Sequence, residues 1–153
     1  MSDLRYLESD PAVFRALNEI GIIAQLLRVT LERAVPEEIS GAGFNVLNHL
    51  ARLEGAWSPA RLARAFQVTK GAMTNTLQRL EAAGCVKVRA DPADARAKIV
   101  TLTAKGLKVR NATLAALAPG MAELMARLPE GMFERILPDL ARLRAVLDAA
   151  RDG

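Results

Sequence analysis

The sequence predicts a mainly α-helical protein with one small β-hairpin. Aromatic residues make up only 4% of the 153 residues, while Ala and Leu are abundant, and this mixture favours helix over sheet. Apolar residues recur every three to four positions along most of the chain, as they do on helices. After residue 84 the period changes to strand-like alternation, and a turn-rich stretch and a β-branched run follow.

The first helix is predicted to begin at Asp10 and Pro11, a capping residue followed by proline at the first helical position. One apolar stripe extends to Leu31, and a second stripe lies on another face of the same helix. Pro36 ends the helix. A helix that is apolar on two faces needs more than one packing partner, and a second subunit is a candidate partner in so small a protein.

Three shorter helices are expected next. The second covers 44–53 and is closed by Gly55. The pair Ser58-Pro59 repeats the cap-plus-proline signal and opens the third helix, which ends at Phe66. After a tight connection, Thr69 caps a fourth helix that stops at Gly84.

The predicted hairpin has its strands at 85–89 and 99–102, and the stretch ADPADARA between them forms a loop of about eight residues, longer than usual. Thr103 is expected to cap a further helix that runs to about residue 128, with Pro119 kinking or interrupting it. Pro129 opens a last helix, which Pro138 is expected to bend.

One cysteine and one histidine exclude several kinds of site. Cys85 alone forms no intrachain disulfide framework and no cysteine-based metal site, and His49 alone argues against a histidine-ligated metal or a conventional His-based triad. We therefore expect no metal and no cofactor. The N-terminus lacks a signal-peptide core, and no apolar run reaches the ~18 residues of a membrane span. These features predict a soluble, cytoplasmic protein with no membrane partner.

The net charge of +4 is mild, but the charge is unevenly distributed. Residues 55–110 contain eleven Lys or Arg and three Asp or Glu, a net charge of +8. The rest of the chain contains ten basic and fourteen acidic residues, a net charge of −4. The basic middle segment indicates contact with a polyanion.

The third and fourth helices form a helix-turn-helix candidate, and the hairpin that follows is a candidate wing. On a helical wheel Met73, Leu77 and Leu80 fall together and are expected to face the core. The opposite face has no acid and no large apolar group, so it suits a major groove, although a solvated polar face remains the alternative. The expected DNA contacts are Thr69, Lys70, Gly71, Thr74, Asn75, Gln78 and Arg79, with Ser58 and Arg61 as further candidates.

Charged residues of the predicted wing are further candidates for DNA contact. Arg96 at the tip suits insertion into a narrow minor groove. Asp94 is expected to act internally, by pairing with an arginine or capping the loop so that Arg96 is held in place. Lys87, Arg89 and Lys98 lie on the stem, where charge also protects strand edges against aggregation.

Two stretches, VTKGAMTNTLQRLEAAG and DPADARAKIVTLTAKG, resemble the recognition helix and wing of MarR-type winged helix-turn-helix regulators. The D-x-R element with the following V-x-L-T-x-x-G is quite specific. The resemblance is close over residues 58–106 and gives Asp94 and Arg96 the wing roles of the family. Many members carry a second arginine between these two positions, whereas this chain has Ala95, which makes the wing less basic.

The resemblance implies a homodimeric transcriptional regulator that binds double-stranded, pseudo-palindromic operator DNA. Its DNA-binding region would be 37–103, between dimerisation segments 1–36 and 104–153. The resemblance also implies a pocket for a small effector, whose identity the sequence does not give, and repression that this effector relieves.

Cys85 and His49 have both a functional and an ordinary interpretation. Cys85 is a redox-sensor candidate, but a free cysteine at this position is more often a small buried hydrophobe. His49 and Phe44 are candidates for the effector pocket, although a lone histidine on a helix is usually an ordinary hydrogen-bonded residue.

Two other functions compete with DNA-dependent regulation. A protein-interaction module with the same fold would bind DNA weakly and without sequence preference. An enzyme would need paired carboxylates, a phosphate-binding glycine loop or a nucleophile with a base, and the sequence shows none of them. We therefore expect no enzymatic activity.

Overall fold

The computed structural model describes residues 9–152, so the first eight residues of the predicted segment 1–36 lie outside the described part. Two compact units divide the chain, one ending at Ala116 and the other beginning at Leu117. The order of elements confirms a mainly helical chain with one hairpin. The elements are α1 (Ala12–Ala34), α2 (Ser40–Arg52), α3 (Pro59–Phe66), α4 (Lys70–Ala82), β1 (Val86–Asp91), β2 (Asp94–Leu102), α5 (Ala104–Met125) and α6 (Met132–Asp152).

The N-terminal cap predicted for α1 is wrong by one residue. Pro11 itself occupies the N-cap position, with extended backbone at ψ 142°, and no side chain caps the helix. The other end agrees with the prediction, because Ala34 is the last helical residue and Val35 is extended before Pro36. Proline disfavours the helical region for the residue that precedes it, which agrees with the end of the helix before Val35.

The core of the first unit lies among α2, α3, α4 and the hairpin. Leu47, Leu62 and Leu80 contribute one fully buried side chain from each of the three helices. Val86 of β1 and Val100 of β2 complete the core from the strands. The alternation that predicted the strands reflects this burial, since neighbouring residues of a strand face opposite sides.

The tip of the hairpin differs from the prediction. β1 and β2 pair antiparallel as far as Asp91 and Asp94, so the turn at Pro92-Ala93 replaces the expected loop of about eight residues. Two side chains hold this turn: Asp91 Oδ1 accepts from the Ala93 amide at 2.8 Å, and Asp94 Oδ1 accepts from the Arg96 amide at 2.9 Å. These local bonds satisfy backbone donors in a segment whose composition alone is typical of a loop.

The two long C-terminal helices contain prolines and remain continuous. The interruption of α5 that we considered at Pro119 does not occur, and α6 likewise continues through Pro138. Each proline removes one backbone donor, and the hydrogen bonds of the neighbouring turns keep the helix intact. Within residues 9–152, no helix has both the length and the apolar character needed to cross a bilayer.

Candidate nucleic-acid interface

α4 has one buried and one exposed face, as the helical wheel predicts. Met73, Leu77 and Leu80 are at most 4% exposed. The exposed residues include all the DNA contacts predicted within this helix, namely Lys70, Gly71, Thr74, Asn75, Gln78 and Arg79. A Cβ added at Gly71 would meet no atom within 4 Å, so another molecule can approach the backbone closely there. The exposed face therefore combines hydrogen-bonding groups, positive charge and open space.

The start of α4 is defined by a tight turn and a threonine cap. Gln67 adopts left-handed backbone with φ 52°, and the Val68 amide donates to the Ala63 carbonyl at 3.0 Å. Thr69 Oγ1 then accepts from the Ala72 amide at 3.1 Å. The cap stabilises the helix end at which backbone N–H groups and a partial positive charge favour a phosphate.

The two further candidates at α3 make contacts within the protein. Ser58 Oγ accepts from the Arg61 amide at 3.1 Å and so caps α3. The Arg61 guanidinium donates to the Ala56 carbonyl at 2.9 Å and lies over the Trp57 ring at 4.0 Å from its centroid. Both side chains thus stabilise the beginning of α3, and their contact with DNA stays a prediction.

Arg79 also makes an internal contact. Its Nη2 donates to the backbone carbonyl of Glu37 at 2.9 Å, across a sequence separation of 42 residues. Glu37 lies in the connection between α1 and α2. Arg79 therefore differs from the other predicted DNA contacts of α4, because its guanidinium already has a partner outside the helix.

The basic residues of the wing do not all lie on one face. Lys87 pairs with Thr101 and Arg89 pairs with Ile99, whereas Lys98 pairs with Ala90. Directly paired residues share a face, and successive residues alternate between faces. Lys98 therefore lies on the opposite side of the hairpin from Lys87 and Arg89, and all three are exposed. Arg96 is exposed beside the turn.

Each of the three acids in the basic segment accepts a hydrogen bond from a backbone amide. Glu81 Oε2 accepts from Val88 at 2.8 Å and so joins the end of α4 to β1. Asp91 and Asp94 accept within the turn, as described above. The bond to the Arg96 amide confirms the predicted capping role of Asp94. Carboxylates that would repel a polyanion are thus used to position the wing.

A groove of about 280 Å³ separates α4 from the wing. Its walls include Thr74 and Gln78 of α4 and Val88 and Lys98 of the hairpin. Glu81 lies at the same groove and connects its two walls. Two of the predicted recognition residues and one wing lysine therefore share a concave surface.

The junction between the hairpin and α5 explains the glycine of the V-x-L-T-x-x-G element. Thr103 Oγ1 donates to the Gly84 carbonyl at 2.6 Å and accepts from the Gly106 amide at 3.0 Å, which confirms its predicted cap. A Cβ at Gly106 would overlap the Cys85 carbonyl oxygen. Only glycine permits this approach of α5 to the backbone beside β1.

Cys85, His49 and Phe44 all lie in packed surroundings. Cys85 is fully buried, and this burial raises the pKa of its thiol; nearby Lys105 acts in the opposite direction. The His49 ring contacts Trp57 edge-on, with 4.2 Å between centroids, and lies 5.2 Å from Phe66. Phe44 is buried on the same helix. Across residues 9–152, no group of three or more potential ligands is placed to hold a metal ion.

Arg110 is a residue that the sequence did not single out. Its Nε and Nη2 donate to Asn48 Oδ1 at 3.2 and 3.0 Å and so join α5 to α2. The two residues are 62 positions apart, and no local pattern relates them. The partners of Glu81 and Arg79 were likewise not predictable, because the sequence shows only the charge of these residues and their position on the helix.

Comparison with known proteins supports the winged helix. Residues 39–97 match the model of the MarR family. The chain is similar to the crystal structure of MarR, with a TM-score of 0.78 and 23% identity over 97% of this chain and 98% of the other. BldR from Sulfolobus solfataricus gives a TM-score of 0.68 and 23% identity over 89% and 99% of the two chains.

One similar structure contains nucleic acid. The S. aureus MepR F27L mutant bound to an oligodeoxyribonucleotide has a TM-score of 0.59 and 21% identity, over 86% of this chain and 97% of that one. No curated protein matches the sequence. At these identities the structural likeness establishes the fold, and the family model matches the part of the chain that contains α3, α4 and most of the hairpin.

Proposed function

We propose that this chain is a transcriptional regulator of the MarR family and that it acts as a homodimer on a pseudo-palindromic operator in double-stranded DNA. On this proposal the chain is a DNA-binding regulator and not an enzyme. In the proposed complex α4 enters the major groove and the wing reaches the adjacent minor groove. The two α4 helices of a dimer would occupy half-sites about 10 bp apart.

The observation that carries the proposal is the exposed face of α4. Thr74, Asn75 and Gln78 present the amide and hydroxyl groups that read base edges, and the exposed acid of α4, Glu81, accepts a hydrogen bond from the Val88 amide. Lys70 adds positive charge at the capped helix end, where phosphate binding is favoured. The oligonucleotide-bound MepR mutant, which shares the fold, supports this assignment.

The proposed dimer rests on the unburied apolar surface of α1. None of its residues is buried within the chain, and even large apolar side chains are exposed, Leu26 by 68% and Phe14 by 54%. Exposed apolar surface on this scale marks an interaction site. We assign dimerisation to segments 1–36 and 104–153, and DNA binding to 37–103.

We further propose that the regulator is a repressor and that a small effector relieves repression. His49 and Phe44 are the proposed pocket residues, and the contacts of His49 with Trp57 connect this region to the beginning of α3. An effector acts only if it binds one dimer conformation better than another. It would therefore favour a spacing of the α4 helices that does not match the operator.

Selection of binding sites from a random DNA library tests the proposal. We expect enrichment of an inverted repeat whose half-sites lie about one helical turn apart. Binding without enrichment that disappears as salt rises would contradict it, because only backbone electrostatics would then remain. The enriched duplex also provides the probe for effector screens.

Two substitutions separate the wing from the recognition helix. Arg96→Ala should weaken binding across all sequences, because the wing contact is electrostatic. Asn75→Ala should relax specificity at one base pair, costing about 1–3 kcal/mol there. Arg142 on α6, which pairs with Asp139, provides the control Arg142→Ala. Unchanged affinity for Arg96→Ala in a titration would contradict the wing assignment.

A further inference from the structure

Arg79 is a predicted DNA contact whose side chain is already bonded within the protein. Its Nη2 donates to the Glu37 carbonyl at 2.9 Å. This bond uses one of the five N–H donors of the guanidinium and sets the direction of the others. A bidentate contact to a base would therefore have to be made in the orientation that Glu37 sets, or the bond to Glu37 would have to break.

Of the predicted DNA contacts of α4, Arg79 lies farthest from the capped N-terminal end of the helix. Arg79 follows Lys70 by nine residues, which corresponds to about 13 Å along the helix axis. In helix-turn-helix proteins the N-terminal residues of the recognition helix contact the base edges. Arg79 lies in the last turns of α4, which the structure attaches to the rest of the chain.

The last turns of α4 pack against the connection between α1 and α2. Leu80 is fully buried, and a Cβ at Gly43 of α2 would lie 3.1 Å from Leu80 Cδ2 and 3.3 Å from Ile39 Cγ2. Ile39 belongs to the connection, is 2% exposed, and donates its amide to the Pro36 carbonyl at 2.9 Å. Apolar packing fixes the distance between α4 and the connection, and the directional bond of Arg79 to Glu37 fixes the orientation.

We propose that Arg79 is a positioning residue, which holds α4 at a set angle to the connection between α1 and α2 and determines DNA specificity without contacting DNA. The proposal rests on the function proposed above. It also gives α1 a direct link to α4, because α1 ends at the same connection. A change in the position of α1 within a dimer would thus reach the DNA-contacting face through the Glu37 carbonyl.

The test compares Arg79→Gln with the matched control Lys70→Gln. The affinity of each variant is measured over a salt series for the enriched operator duplex and for a scrambled duplex of equal length. For Arg79→Gln we expect about tenfold weaker operator binding, an unchanged affinity for the scrambled duplex and an unchanged salt slope. For Lys70→Gln we expect both affinities to fall and the slope to decrease by about 0.9, because a phosphate contact is lost.

Several results would overturn the proposal. A slope decrease like that of Lys70→Gln would make Arg79 a phosphate contact, and a loss confined to one base pair would make it a base contact. Unchanged operator affinity would leave Arg79 without a role in binding. Circular dichroism checks that each variant is folded. If Arg79→Gln is unfolded, Arg79→Lys replaces it in the same measurements. Its ammonium group keeps the charge but does not reproduce the planar guanidinium donor.

Hydrogen exchange of the free protein separates this proposal from the proposed function. We expect the amides of Val35 and of residues 37–39 to exchange faster in Arg79→Gln than in the wild type, because the connection loses its bond to α4. Unchanged exchange would overturn the positioning role. If the wild type selects no operator, the proposed function fails, whereas the exchange comparison still reports whether Arg79 restrains the connection.

Discussion

The winged region, defined here as α2 to β2, completes an apolar core within one chain, whereas α1 does not. Each of the five elements of the winged region buries at least one apolar side chain. The 23 residues of α1 bury none, and nine of its large apolar side chains are at least 36% exposed. The comparison indicates that the winged region folds on its own contacts, and that α1 depends on a partner for its apolar faces.

α6, within the second unit, resembles α1 in this respect. None of its residues with a described side chain is buried, and Leu137 and Val146 are more than 60% exposed. The ion pair of Arg144 with Asp148 lies on its surface, and such pairs contribute only about 0–1 kcal/mol. Both terminal helices thus carry apolar surface in excess of what one chain buries.

The largest effect is expected from a charge on the apolar surface of α1. Leu26→Glu should convert a dimer to monomers or unfolded chains, because each leucine contributes about 1.5–3 kcal/mol when buried and a symmetric interface contains it twice. Sedimentation equilibrium measures the change. Gln25→Glu adds the same charge one residue earlier on the same helix and should remain dimeric. If Leu26→Glu sediments as the wild type does, α1 is not the dimer interface, and its exposed apolar faces do not depend on a second subunit.

A second, smaller effect tests the winged region where it meets α5. Gly106→Ala should destabilise the fold by about 3 kcal/mol, because its Cβ would overlap a backbone carbonyl that has no freedom to move away. Thermal unfolding measures the loss.

Gly71→Ala is the matched control, because Gly71 lies in open space on α4. It should gain about 0.5–1 kcal/mol of stability from helix propensity and lose DNA affinity, since close approach to DNA is blocked. Equal stability of the two variants would show that α5 is not held tightly against Cys85.

Features that repeat along the chain could be predicted from the sequence, whereas contacts between distant residues could not. The faces of α4 could be predicted, because the burial of Met73, Leu77 and Leu80 repeats with the helical period. The composition of the hairpin tip predicted a long loop. The strands continue instead to a tight turn, because two carboxylate-to-amide bonds outweigh that composition. Bonds such as that of Arg79 to Glu37 depend on folding across 42 residues, and no local period records them.

A third prediction sharpens the role of acids within the basic winged region. Asp94→Ala should weaken DNA binding by about threefold to tenfold, because the Arg96 amide loses its acceptor and the turn loosens. Asp94→Asn retains an oxygen acceptor and removes a negative charge, so its affinity should equal or exceed that of the wild type. Fluorescence anisotropy with the enriched duplex measures both variants. Stronger binding by Asp94→Ala would show that Asp94 acts on DNA mainly as a repelling charge.

The smallest effect tests how completely the winged region excludes water. Because burial raises the pKa of the Cys85 thiol, native protein should react with iodoacetamide far more slowly than urea-unfolded protein at about pH 8. The folded pKa lies above the unfolded one, so the stability that this thiol contributes is fully present below the unfolded value of about 8.5. As the pH rises further, the unfolded state loses its proton first and the free energy of unfolding decreases. Cys85→Ala should abolish this decrease, whereas rapid alkylation of the native protein would show that the core opens at β1 and that Cys85 is available to oxidants.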